Sequence, residues 1–449
     1  MTELYQADLY DRHRPVGSFW ASTVTPPSPS DFPPLTTDAD TEVAIIGGGI
    51  TGLSAALHLA DLGMQVRVLE AVLPGWGASG RNGGFCCIGS TARSGEGLLH
   101  QFGHSATRQF YQHQQDAAEL VAHLAHQEAL VIDRQGQGEI KVAHHPSRIP
   151  HLETEMAFYE DVADYPCELW SKKDLGDRAF HSPAAHGALW VKVGFGLNPM
   201  KYSLGLARAG QRKGVPIHAN SPIIAWEKAD GWHWLHTPSG SVRARQVLIA
   251  TNGYTQESLH PHLRSRMLPV ISHIFTTRPL TPAERNAQGW QTETPLFNTR
   301  TLLSYFRLLQ DGRILFGQRG DTVGSLAARD RYQQQVLRHF HQMFPAWGDI
   351  EVTHVWNGLM GFSLNLTPYI GFLEDDRSVA CSLAYHGNGI AAGTWSGRAI
   401  ALLMGDRIHP DAISPVYRQP LKAFPLPGLR IQYLRAACSL FRLQDALPR

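Results

Sequence analysis

Gly47, Gly49 and Gly52 follow the apolar run EVAII, and Glu70 closes the run QVRVLE 18 residues after the last of them. This spacing suits one chemistry. Gly47 permits a tight turn out of a strand, Gly49 lets the backbone approach a pyrophosphate, and Gly52 lets the following helix pack closely on the strand. Free N–H groups at the start of that helix then face the phosphates. Glu70 ends the second strand, where a carboxylate takes both hydroxyls of an adenosine ribose and favours an unphosphorylated one. Such glycines alone also occur in ordinary turns. Strand, glycines, amphipathic helix, strand and acid in that order predict adenine dinucleotide binding.

Four later stretches narrow the choice. GASGRNGG (77–84), VLIATNGYT (247–255), WNGLMGFSLNLTPYIG (356–371) and YHGNGIAAGTWSGRAIA (385–401) run in this order. With the glycine motif they resemble the D-amino-acid-oxidase-like FAD-dependent oxidoreductases over nearly the whole chain. Within that family NPMKYSLGLA, SGRNGG and YFRLLQDGRILFGQRG resemble the γ-glutamylputrescine oxidase and amine oxidoreductase branch. The resemblance implies bound FAD and oxidation of an amine C–N bond to an imine, then to a carbonyl compound and ammonia. Oxygen, or a quinone or other electron carrier, is the implied acceptor.

Residue by residue, Ser79, Arg81, Asn82 and Gly83 supply donors and close backbone for a pyrophosphate and the polar edge of an isoalloxazine. Resemblance places Gly387, Asn388, Gly389 and Ile390 at a helix N-terminus near the flavin N1–C2=O edge. It places Ile223 beside the adenine and Ala250 in the same site. Sarcosine-oxidase-like relatives tether flavin through a cysteine a few residues before T-P. Phe362 stands there, so FAD is expected to be held without a covalent link.

Substrate residues are sought in SYFR, where strand alternation points Tyr305 and Arg307 to one face, an aromatic wall beside a cation. His273 in SHIFTT is a candidate for proton handling. Glycine-oxidase-like members carry an arginine after W-x-G-L that pairs the substrate carboxylate, whereas Met360 stands at that place. This favours a γ-glutamylputrescine-like primary amine, with Arg307 meeting a distant anionic group. The alternative is a secondary or cyclic amino acid, pipecolate-, sarcosine- or glycine-like, with Arg307 or Arg81 on its carboxylate. A further alternative is a flavin-binding assembly or RNA-modification partner; the intact glycine motifs and near-neutral charge argue against the RNA version.

The elements that must position these groups follow from pattern. The expected fold is α/β plus α+β, a Rossmann-like FAD-binding domain of the glutathione-reductase type interrupted by a mixed-sheet substrate domain. Residues 1–40 are a proline-rich lead; 41–96, 190–265 and 350–425 form the FAD-binding domain; 97–189 and 266–349 form the substrate domain. Residues 426–449 read as a basic amphipathic helix that packs on the protein or touches a membrane surface. Helices are expected near 97–130, 149–164, 198–214 and 327–343.

A chain of 449 residues exceeds the ~250–300 at which one core stops growing, which fits two domains. Lysine plus arginine number 40 and aspartate plus glutamate 39, so nothing calls for a nucleic-acid partner. Cys86, Cys87, Cys167, Cys381 and Cys438 lack metal-ligand spacing and read as thiols of a reducing compartment. His100 and His104 stand four apart but lack a third ligand, so no metal is expected. No stretch has the apolar length of a membrane span or signal peptide, and a cytoplasmic location is expected.

Overall fold

The fold is described from a computed structural model that defines residues 4–446; the ends of the expected lead and C-terminal helix, 1–3 and 447–449, lie outside the described residues. Val43, Ala44, Ile45 and Ile46 of the run EVAII are buried on both faces because their strand, Ala39–Ile46, lies inside a sheet. It runs parallel to Val66–Leu69 on one side and Ser241–Ile249 on the other. Val379–Leu383 continues the parallel array. The hairpin Ala225–Ala229 and Trp232–His236 adds antiparallel strands to it.

Two helices cover one face. Ile50–Asp61 and Ala391–Met404 approach closely at Gly397, where a Cβ would meet Thr51 O at 2.5 Å and Ser54 Cβ at 2.8 Å. Ser54 Oγ donates to Thr394 O at 2.7 Å, fastening the pair. The long helix Gly95–Gln127 belongs to this layer, not to the substrate domain in which its sequence segment was expected: His113 stacks on Trp395 at 4.3 Å. It is also broken. Gly103 adopts φ 77° and ψ 172°, so His100 and His104 are not one turn apart on a continuous helix.

The second sheet has the order Val352–Ser363, Met267–Thr277, Ile314–Arg319, Ser304–Leu308, Leu296–Asn298, Glu139–Val142, Gly187–Val191, Cys167–Ser171. Strand Val352–Ser363 corrects the expected boundary at 350. It pairs with Met267–Thr277 along nearly its whole length, from Met267 opposite Ser363 to Thr277 opposite Val352. One face of this sheet is closed by aromatic packing against helix Leu326–Met343, with Phe275 5.3 Å from Phe340 and Phe316 5.5 Å from it. The other face is turned to the first domain.

The proline-rich lead is tied across both sheets. Tyr5 Oη donates to Pro269 O at 2.7 Å, Trp20 Nε1 to Asn82 O at 2.7 Å, and Leu35 N to Ser221 Oγ at 2.9 Å. The C-terminal helix Arg430–Ala446 docks as well. Arg430 pairs with Glu257 at 2.7 Å, Ile431 and Cys438 are buried, and Asp445 accepts from Thr301 N at 2.8 Å. Among the described residues no helix is long and apolar enough to cross a membrane.

Candidate functional site

A cavity of about 600 Å³ runs between the two sheets. At one end the turn after Ala39–Ile46 is bent as its glycines require. Gly47 has φ 109°, and a Cβ there would meet Ala250 O at 2.9 Å; a Cβ on Gly52 would collide with Gly47 O. Glu70 accepts from Gly48 N at 2.7 Å and Val72 N at 2.9 Å, which leaves lone pairs toward the cavity. Burial raises its pKa, opposed by those two amides and by the Arg12 guanidinium. Ile223 and Ala250 line this end.

Helix Ile50–Asp61 has glycine at its N-cap and so no cap of its own; Ser79 Oγ accepts from Ile50 N at 2.9 Å instead. Helix Ala391–Met404 likewise has Ile390 at its N-cap and no side-chain cap. Both helix starts open on the same cavity, which Gly47, Gly49, Gly387, Gly389 and Ile390 line. Uncapped amides of this kind favour anionic or electron-rich groups.

Two loop residues do other work than their sequence implied. Arg81 lines the cavity, but its Nε donates to Trp76 O at 2.8 Å, its Nη2 also reaches Trp76 O, and the guanidinium lies 4.5 Å from the Trp76 ring. It fixes the loop and is not free for a carboxylate. Asn82 donates to Ala78 O and Ser79 O, each at 3.0 Å, and accepts from Gly84 N at 2.8 Å. Asn388 similarly ties its turn to Gly89 O at 3.3 Å. These side chains shape the loops, and the backbone faces the cavity.

At the other end Tyr305 stands where alternation puts it. Its ring lies over Gly317 and Gly83, whose Cβ would meet Tyr305 Cε2 at 2.8 Å, and meets Phe85 edge-on at 5.6 Å. Its hydroxyl pairs with Ser272 Oγ at 2.7 Å, and burial pushes its pKa up to about 12. Arg307 does not reach the cavity. It shares the face of Tyr305, but two residues along the strand other segments close over it: Nη1 donates to Gly84 O at 2.6 Å and Leu197 O at 3.1 Å, and Nη2 to Gln135 Oε1 at 2.9 Å. His273 is also outside. Its neighbours Ser272 and Ile274 line the cavity, so alternation sends it to the opposite face, where Nε2 pairs with Asp321 at 2.9 Å.

Three residues there deserve more weight than their sequence gave them. Met360 lines the cavity, as does Arg319 at the end of Ile314–Arg319. The Arg319 side chain has no hydrogen-bond or ion-pair partner among the described residues, and its Nε is buried without one. A Cβ on Gly387 would collide with Arg319 Nη2 and meet Met360 Sδ at 3.4 Å, so guanidinium and sulfur flank one spot. Glu139, also lining, is buried, and desolvation pushes its carboxyl up to about 8. The hairpin register gave a signal for Arg319: with Tyr305 opposite Gly317, the residue two beyond Gly317 shares the face of Tyr305. Glu139 had none.

Among known proteins, the chain is 28% identical to gamma-glutamylputrescine oxidoreductase of Escherichia coli K12, over 96% of this chain and 98% of that one. It is 29% identical to a Haemophilus influenzae protein named Probable oxidoreductase OrdL, over 84% and 85%. The crystal structure of glycine oxidase from Geobacillus kaustophilus superposes with a TM-score of 0.70 at 19% identity, covering 86% of this chain and 99% of that one, a likeness of fold. Residues 42–403, which span both sheets and the cavity, match the family described as FAD dependent oxidoreductase, and the chain belongs to this DAO family, whose relatives here act on amines or amino acids through FAD.

Proposed function

We propose that this enzyme oxidises a primary amine on a flexible chain, of the γ-glutamylputrescine kind, to an imine that water hydrolyses to a carbonyl compound and ammonia. Bound FAD supplies the acceptor for the hydride equivalent leaving the carbon next to nitrogen. The residues fit that group. The Gly47–Gly52 turn and the start of Ile50–Asp61 hold the pyrophosphate, Glu70 the ribose, and Ile223 and Ala250 the adenosine end. Gly387, Gly389 and Ile390 present main chain to the flavin. FAD is held without a covalent bond, since neither cysteine nor histidine is among the lining residues.

What carries the substrate reading is the wall of Phe85, Phe297 and Tyr305, with no imidazole among the lining residues. An amine of pKa ~10 must be neutral to react, which near pH 7 costs about 4 kcal/mol at 1.36 kcal/mol per unit. Burial against such a wall shifts an amine by ~3 units without a dedicated base. Tyr305 keeps its proton at neutral pH and orients through Ser272. The 28% identity to gamma-glutamylputrescine oxidoreductase over nearly the full length supports the same substrate class.

The test is anaerobic mixing with γ-glutamylputrescine, putrescine, sarcosine, proline and pipecolate, followed by bleaching of the flavin band. γ-Glutamylputrescine is expected to reduce the flavin fastest. Faster reduction by sarcosine, proline or pipecolate would sink the primary-amine reading.

A further inference from the structure

The cavity holds a cation that nothing among the described residues neutralises. Arg319 reaches it from the second sheet, part-buried, with an orphaned Nε and no counter-ion among the described residues. A guanidinium in such a place carries a desolvation cost that a carboxylate, or neutral acceptors such as carbonyls, must offset. The neighbouring arginines differ: although the Arg307 Nε is also unpartnered, its Nη1 and Nη2 are taken by Gly84 O, Leu197 O and Gln135 Oε1, and Arg81 donates to Trp76 O and Gly77 O. Of the glutamates lining the cavity, Glu70 is held by Gly48 N and Val72 N, Glu257 pairs with Arg430, and Glu139 stands three strands away across the sheet. Three strand spacings are roughly 14 Å, beyond a direct contact.

Position adds to charge. Arg319 and Met360 flank Gly387, so the cation of Ile314–Arg319 stands at a spot that Met360 also lines. The pyrophosphate-binding turn lies at the opposite end of the cavity, so phosphate is not the partner. A planar fork of five donors matches a carboxylate in two parallel hydrogen bonds.

We infer that Arg319 holds a carboxylate of the substrate, so that the natural substrate is an amine bearing a carboxylate rather than a plain diamine. This rests on the reading of the cavity as an amine-oxidising site. The class covers a carboxylate beside the reacting carbon, as in sarcosine, and one at the far end, as in γ-glutamylputrescine.

The experiment compares wild type, Arg319→Met and Arg319→Lys as holoenzymes. The first reading is the ratio of kcat/KM for a carboxylate-bearing amine to that for putrescine. Arg319→Met is expected to lower this ratio roughly ten- to a hundredfold, the range of a hydrogen bond to a charged group, with Arg319→Lys recovering part of it. Whether γ-glutamylputrescine or sarcosine loses more tells which carboxylate the arginine holds. The second reading needs no turnover: glutarate or acetate is titrated against the flavin absorption band, and Arg319→Met is expected to bind at least roughly tenfold more weakly. An unchanged ratio together with unchanged carboxylate affinity overturns the assignment, as does loss of FAD with selectivity intact. If no amine reduces wild-type flavin, the amine reading fails by itself, and the titration still decides Arg319.

Discussion

The two ends of the cavity are built from different material. The Gly47–Glu70 end is one continuous stretch joined by the start of Ala391–Met404, and its working groups are main-chain amides, two helix starts and a single carboxylate. The opposite end is a row of side chains, Met360, Ser272, Arg319, Tyr305, Phe297 and Glu139, one from each of six adjacent strands. Main chain cannot be exchanged by single substitutions, so the first end serves one cofactor. Side chains can be exchanged one at a time, so the second end is where enzymes sharing this fold can differ in substrate. Met360 beside Arg319 is such a place: side chains from two strands meet at one spot, and either can be exchanged without the other.

The largest effect that would sharpen this contrast is expected at Gly49. A valine there places Cβ 2.8 Å from Ser79 Oγ, the atom that holds Ile50 N, and fills the space a pyrophosphate needs. Gly49→Val is expected to purify folded but colourless. Stoichiometric flavin in that variant would break the assignment of the main-chain end.

A smaller effect separates the two arginines of the other end. Arg307→Met leaves Leu197 O and Gln135 Oε1 without their donor, while Gly84 O keeps Leu197 N at 2.8 Å, and is expected to cost roughly 3 kcal/mol of stability at 1–3 kcal/mol per stranded group. Arg319→Met strands nothing and is expected to stay within about 1 kcal/mol of wild type. Denaturant unfolding of both variants checks this. Equal losses would mean that Arg319 is as structural as Arg307.

A further effect concerns Glu139, and it depends on pH. Its folded pKa of about 8 lies above the ordinary 4.5, so between these values the folded state binds more protons than the unfolded one. Its contribution is therefore fully present below about 4.5 and is lost as pH rises through about 8, by at most about 1.4 kcal/mol per pH unit. Glu139→Gln cannot ionise. Its stability is expected to fall less than that of wild type from pH 5 to pH 8, read from the difference between their unfolding curves. Parallel curves would show that the carboxyl is ionised at neutral pH and paired.

The same contrast decides what could be read from the sequence. Gly47, Gly49, Gly52 and Glu70 were legible because strand, turn and helix are consecutive, and spacing alone fixes their relation. Tyr305 was legible from alternation. Arg307 was not, because what buries it comes from residues 84, 135 and 197, far away in the chain. The face of His273 was fixed by its neighbours only once Ser272 was seen to pair with Tyr305. Val352–Ser363 fell on the wrong side of a domain boundary because its partner strand begins 85 residues earlier, and nothing local announces an antiparallel pairing at that distance.

The proline-rich lead adds an order of events to this arrangement. Each of its anchors lies later in the chain: Asn82, then Ser221, then Pro269. Leu4, Tyr10 and Arg12 nevertheless line the cavity. A segment made before its anchors has nothing to dock on until both sheets exist, so among the parts that enclose the cavity it is synthesised early and seated late. Whatever fills the cavity then lies against both the first residues of the chain and residues made hundreds of positions later.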